Sequence, residues 1–308
     1  MSFVEQYRKS LKPLDIEEPI DVWVQRPVGF VIAKLAYPTP LTPNQITILS
    51  IIFGLVAGFF YVKPVPHHLV WAGLCVFLSA AFDCADGALA RMRKSSSALG
   101  RMLDGVADLT TTIAAVGGST YVMATRHTQP WWHAAIVVAL CLLTVWTNAF
   151  HSGGYDYYKS MFLRMTIEGN KEGEDIDVAL ARYEEGKRAG MSFGVRFVWW
   201  IYLFYTKGQI DFLRWFDPCA PRKLESLPAW NKEQAERYRA IQLPCMALWR
   251  NWFGFGSLVF GLAVFTAIDQ IAIFMMLRLF LYNGIFFLIL LPKQRAASRE
   301  LFGEPAAA

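Results

Sequence analysis

Residues 83–108 read DCADGALARMRKSSSALGRMLDGVAD. This stretch sets Asp83, Asp86, Asp104 and Asp108 in or beside two apolar segments, where a carboxylate is expensive to hold. The first pair is three residues apart and the second four, so each pair shares one face of a helix. The connection between them, RKSSSALG, is short. Two antiparallel helices joined this way bring all four carboxylates into one small volume. At an effective dielectric near 20, each like-charge pair about 4 Å apart costs on the order of 4 kcal/mol. Either protons or cations must therefore hold the group together.

Working outward, the chain of 308 residues is 55% hydrophobic, 18% charged, with a mean hydropathy of +0.30. That is more apolar than an ordinary soluble domain, at roughly 45–50%, and implies an integral membrane protein. Six stretches long enough to cross a bilayer are expected, at about 46–62, 69–90, 98–123, 131–152, 247–268 and 270–292. The expected fold is all-α and polytopic, with six transmembrane helices plus an N-terminal interfacial helix. Residues 20–37 are too interrupted to span and read as that helix, with Trp23, Phe30 and Tyr37 as anchors. Residues 1–18 mix both charge signs and lack the apolar core of a secretory signal.

Lys and Arg give the orientation. Five lie in residues 1–45, four in the connection carrying the motif, fourteen in 153–246 and three in the tail, against Lys63 and Arg126 on the other side. The termini, the aspartates and the long connection are thus expected to face the cytoplasm. The net charge of +5 is explained by anionic headgroups without nucleic acid. The expected organisation is a cytoplasmic and interfacial segment (1–45), four spans carrying the motif (46–152), a cytoplasmic or interfacial insertion (153–246), two spans (247–292) and a cytoplasmic tail (293–308). Within the insertion, 191–206 is apolar but short, and reads as an in-plane or re-entrant helix. The five cysteines form no CxxC pair and read as reduced thiols.

Oxygen-only ligands suit hard ions, so Mg²⁺ or Mn²⁺, two of them, are the expected cofactors, and the absence of His or Cys ligands argues against zinc. Gly87, Ala90 and Gly100 keep side-chain bulk off the faces near the acids. Arg91 can pair with a phosphate or with the carboxylates. Intramembrane acids also occur in metal or proton transporters, and in a catalytically silent scaffold that kept the cluster for folding. A transporter would spread its acids through the membrane depth, and a scaffold has no use for a fourth acid.

The pattern D-x2-D-G-x2-A-R-x8-G-x3-D-x3-D, met at Asp83, Asp86, Gly87, Ala90, Arg91, Gly100, Asp104 and Asp108, resembles at every defined position the signature of the CDP-alcohol phosphotransferase family. With the six-span plan and the segment LTPNQIT at 41–47, the resemblance covers residues 20–152 and 247–292. It implies an enzyme of phospholipid biosynthesis. Such an enzyme transfers a phospho-alcohol group from a CDP-linked donor to an acceptor alcohol, releases CMP, and has at least one lipid substrate. By similarity Asp83, Asp86 and Asp104 hold the metals, and Asp108 is both ligand and the base for the acceptor hydroxyl. Asp83, Gly87, Ala90, Arg91 and Gly100 lie along the CDP, with Asn44 and Thr47 lining the nucleotide pocket or capping the first span. Family members are homodimers as a rule. Arg250 and Arg278 are the candidates for acceptor binding, with interface anchoring by Trp249-Arg250-Asn251 and pairing of Arg278 with Asp269 as the structural alternatives. Members that accept phosphorylated alcohols often carry Lys or Arg after the last aspartate; here Leu109 stands there, and Ser95–Gly100 is similar to the choline/ethanolamine branch.

Overall fold

The computed structural model describes residues 3–11, 13–95, 98–126, 130–170, 173, 175–221 and 223–304, with side chains 3, 4, 9, 98, 99, 101, 102, 198, 201, 205 and 225 outside that description. The serine-rich connection at 96–97 and the alanine-rich end at 305–308 therefore lie outside the described residues. The described chain is helical, without a strand.

In order, the helices are α1 (Phe3–Ser10), α2 (Arg26–Ala36), α3 (Pro43–Val62), α4 (His68–Arg93), α5 (Ala98–Thr112), α6 (Gly118–Thr125), α7 (Trp131–Thr166), α8 (Ile176–Arg188), α9 (Phe193–Phe216), α10 (Lys232–Trp252) and α11 (Phe255–Ala267). Then α12 (Ile271–Met276), α13 (Asn283–Ile285) and α14 (Leu291–Phe302) follow one another through π-helical turns at Leu277–Tyr282 and Phe286–Leu290. Similar turns precede α2, at Asp21–Gln25, and join α5 to α6, at Ile113–Gly117.

Among the described residues, four helices are long and apolar enough to cross a membrane: Pro43–Val62, His68–Arg93, Trp131–Thr166 and Ile271–Phe302. The third and fifth expected spans fall short for physical reasons. Residues 98–125 carry Asp104, Asp108 and many Thr and Gly, which lower their hydropathy. In the other, α10 ends at Trp252, so α11 stands alone with 13 residues. The fourth expected span continues past residue 152 to Thr166 with no helix break.

The chain divides into two compact units. The first comprises Met1–Asn148 and Arg250–Asn283. Its α3 starts with a capping box, in which Thr42 and Gln45 satisfy each other's backbone N–H and Pro43 takes the first turn. Helix α4 packs against α2, α3 and α11, and α3 against α5. Two glycines allow these close approaches: a methyl at Gly29 would lie 2.7 Å from Cys84 Cβ, and one at Gly73 would lie 2.3 Å from the Ala263 carbonyl. A polar thread runs through the apolar contact, with Ser50 donating to Ser79 O at 2.8 Å and Ser79 meeting Thr111 Oγ1 at 2.6 Å. Glu18, itself buried, accepts the N–H groups of Gly256 (3.2 Å) and Ser257 (2.9 Å) at the start of α11.

Of the expected N-terminal anchors, Trp23 and Tyr37 are exposed. Phe30 is buried, with its ring 5.5 Å from Tyr7. Packing of α2 on α4 claims that face of the helix.

The second unit comprises Ala149–Trp249 and Gly284–Ala308. Trp249 is buried in it, stacked on Tyr158 at 5.4 Å and donating to Gln294 Oε1 at 3.0 Å, so it is a core residue and no interfacial anchor. Gly154 makes room for its ring. Asp217, just after α9, accepts from Tyr158 (2.6 Å) and from Ser298. Burial pushes its carboxyl above the usual range, against the opposing pull of those hydrogen bonds.

Candidate active site

Helix α4 presents Asp83, Asp86, Gly87, Ala90 and Arg91 over its last turns, and α5 presents Gly100, Asp104 and Asp108. One carboxylate oxygen from each of Asp83, Asp86 and Asp104 lies within 4.8 Å of the others. Asp83 and Asp104 are within hydrogen-bonding reach of each other. Asp83 Oδ1 is buried with no hydrogen-bond partner. Three convergent carboxylates with a buried, unsatisfied oxygen are a donor set that fits a hard divalent cation. Asp108, one turn beyond Asp104 on α5, is a charged neighbour of Asp83 and stands outside the tight group of three.

The conformation of Asp86 is set from α3. Thr47 is buried, and its hydroxyl donates to Asp86 Oδ2. Its contact is thus with a carboxylate. Capping of α3 falls to Thr42, while Asn44 lies partly exposed in the first turn.

Arg91 folds back along α4. Its guanidinium would meet a methyl at Gly87 at 3.3 Å, and Asp86, Glu17 and Arg26 are among its charged neighbours. Arg26 is paired with the buried Glu17 at 2.8 Å.

Arg93 was not singled out by its sequence context. It donates to the carbonyls of Ala36 (3.1 Å), Tyr37 (2.9 Å), Thr39 (2.7 Å) and Leu41. These bonds fasten the α2–α3 connection to the end of α4, and so fix where α3 begins and where Thr47 meets Asp86. Carbonyl partners leave no mark in a sequence, and Arg93 reads there only as one more cytoplasmic cation.

The two acceptor candidates differ. Arg250 donates to the Leu14 carbonyl and so ties the end of α10 to the N-terminal segment. Arg278 is 2% exposed, lies 4.4 Å from the Tyr282 ring centroid and donates one bond to Trp252 O at 3.2 Å. Its Nε and second Nη are buried without hydrogen-bond partners. Asp269 is paired elsewhere, with Arg126.

Residues 40–166 match the family model described as CDP-alcohol phosphatidyltransferase. The match takes in α3 through α7 and all four aspartates. Two curated relatives are phosphatidylinositol phosphate synthases. That of Corynebacterium glutamicum is 35% identical over 114 residues, 36% of this chain and 50% of the relative. That of Mycobacteroides abscessus is 32% identical over 105 residues, 33% of this chain and 45% of the relative. Cholinephosphotransferase 1 of Gallus gallus is 26% identical over 185 residues, 58% of this chain and 51% of the relative. The chain thus spans about half the length of the curated relatives it matches.

Proposed function

We propose that this chain, with its CDP-alcohol phosphatidyltransferase region, is a metal-dependent phosphotransferase of the membrane that moves a phospho-alcohol group from a CDP-linked donor to an acceptor alcohol and releases CMP. The observation that carries the reading is the convergence of Asp83, Asp86 and Asp104 beside Asp108 within the matched stretch.

Asp83, Asp86, Asp104 and Asp108 would hold two Mg²⁺ or Mn²⁺ ions. When bound, such ions supply positive charge that offsets the carboxylates and the diphosphate oxygens. Asp108 then takes the proton of the acceptor hydroxyl, since an alcohol is a weak nucleophile at neutral pH. Arg91 faces the diphosphate, and Gly87, Ala90 and Gly100 leave space for the nucleotide along α4 and α5. Asn44 lies at the same end of α3, and Thr47 serves by holding Asp86. Arg278, with two unsatisfied buried donors, is the better acceptor candidate; Arg250 is already committed to Leu14.

The same reading keeps the six crossings, with α5–α6 as the third and the last turn of α10 plus α11 as the fifth. The Lys and Arg distribution supports a cytoplasmic side for the aspartates, and the family resemblance supports a homodimer. A transporter is not favoured, because the acids sit on two neighbouring helices joined on one side.

The test is release of CMP by the purified full chain in lipid. CDP-diacylglycerol, CDP-choline and CDP-ethanolamine are offered separately with a panel of alcohols that includes inositol phosphate and diacylglycerol. One donor should yield CMP only with divalent metal present, and the Asp108→Asn variant should lose that release while still binding Mn²⁺. No CMP from any pairing, or full turnover after chelation, contradicts the reading.

A further inference from the structure

Helix α9 leaves Phe193, Phe197, Trp200 and Phe204 exposed at 84, 53, 59 and 72%. Their spacing of three and four residues puts them on one face. The rings of Phe197 and Trp200, and of Trp200 and Phe204, stack at 6.1 and 5.9 Å. The opposite face is already engaged within the second unit: Leu213 and Phe216 are buried, and Phe212 stacks on Phe150 of α7 at 4.8 Å. A contiguous aromatic patch of this kind is unfavourable in water, and the proposed chemistry does not use it.

Two observations identify what covers it. Trp215, also exposed and on the same stripe, meets Phe287 edge-on at 6.3 Å. Phe287 and Leu288 (79% exposed) lie in Ile271–Phe302, one of the helices apolar enough to cross a bilayer. At Trp215 the aromatic stripe of α9 thus meets the exposed apolar surface around Phe287. In addition, exposed Arg196 and Lys207 bracket the ten residues 197–206. Ten residues rise about 15 Å, half of a hydrocarbon core of about 30 Å. This apolar run is too short to cross, while its flanking cations can reach toward phosphates on one side.

We propose that α9 lies along one leaflet of the membrane, with Phe193, Phe197, Trp200 and Phe204 in the boundary between headgroups and acyl chains and Arg196 and Lys207 at the phosphates. The short apolar run at 191–206 suggested an in-plane or re-entrant helix; the structure extends the helix to Phe216 and selects the buried face.

The test places nitroxide labels at Phe197→Cys, Trp200→Cys and Phe204→Cys, one at a time, in the full chain with its five cysteines replaced by alanine. The chain is reconstituted in phosphatidylcholine–phosphatidylglycerol vesicles, with Glu184→Cys on α8 as the water-facing control. Relaxation by oxygen should exceed that by an aqueous nickel chelate at all three sites, at similar depth, and the order should reverse at 184. Dominance of the nickel chelate, immobilised labels shielded from both agents, or a depth rising steadily from 197 to 204 would each overturn the proposal. Should the cysteine-free chain not fold, benzoylphenylalanine in place of Phe204 in the otherwise unaltered chain decides the matter. Photocrosslinking to lipid supports the assignment, and crosslinks to protein or none at all overturn it.

Discussion

The hydroxyl of Thr47 carries more of the proposed site than its position in the first span suggests. By donating to Asp86 it fixes the orientation of one carboxylate of the converging three. Supporting bonds of this kind are worth 10–100-fold in metal affinity or activity. Thr47→Val keeps the shape and removes the donor, so the Mn²⁺ titration midpoint should rise about tenfold or more while folding is retained. An unchanged midpoint would show that Asp86 is oriented by something else. The approach of Asp83, Asp86 and Asp104 to one another was legible because a spacing of three along α4 is itself a statement about a helix face, and the short connection brings α5 back beside it. Thr47 as a carboxylate partner was not, because the contact joins residues 39 positions apart.

Among the elements, α4 is the one on which the site depends, since α2, α3 and α11 all pack against it. A methyl at Gly73 would stand 2.3 Å from a backbone carbonyl of α11, an atom that cannot swing aside. Gly73→Ala should cost about 1–3 kcal/mol, read as a lower unfolding temperature in detergent. Gly58→Ala, whose nearest new neighbour is 3.7 Å away, should melt near the wild type. Equal melting of both variants would contradict the close α4–α11 approach. In the second unit, Asp217 binds its proton more tightly folded than unfolded, because burial disfavours the charge. Between the ordinary carboxylate pKa and the raised folded value, the folded state holds more protons, so stability contributed by this group falls as pH rises. Relative to Asp217→Asn, the wild type should therefore lose unfolding temperature from about pH 4 upward; a difference independent of pH would refute that environment.

The ends of the elements were less legible than their existence. Helix α3 begins at Pro43, ahead of the expected 46, because Thr42 caps it, and α4 runs to Arg93, past the expected 90. The continuation of α7 to Thr166 was not legible either, because the polar residues after 152 read as a connection when burial within the second unit is unknown. Phe30 and Trp249 were misread for the same reason. An aromatic residue beside charged ones has the same sequence signature whether it anchors in an interface or closes a core, and only the packing partners Tyr7 and Tyr158 decide.

For the molecule as a whole, the low charge content and the four long apolar helices place it in a bilayer. The relatives include both phosphatidylinositol phosphate synthases and a cholinephosphotransferase, and the donor and acceptor panel tests both classes on this chain. The acidic quartet is expected to hold divalent metal, and anomalous X-ray scattering from crystals grown with Mn²⁺ reads this out at the site itself. Two manganese peaks are predicted between α4 and α5, bounded by Asp83, Asp86, Asp104 and Asp108, and lost in Asp83→Asn/Asp86→Asn. Well-ordered carboxylates with no manganese between them, or with their oxygens turned away from one another, would contradict it.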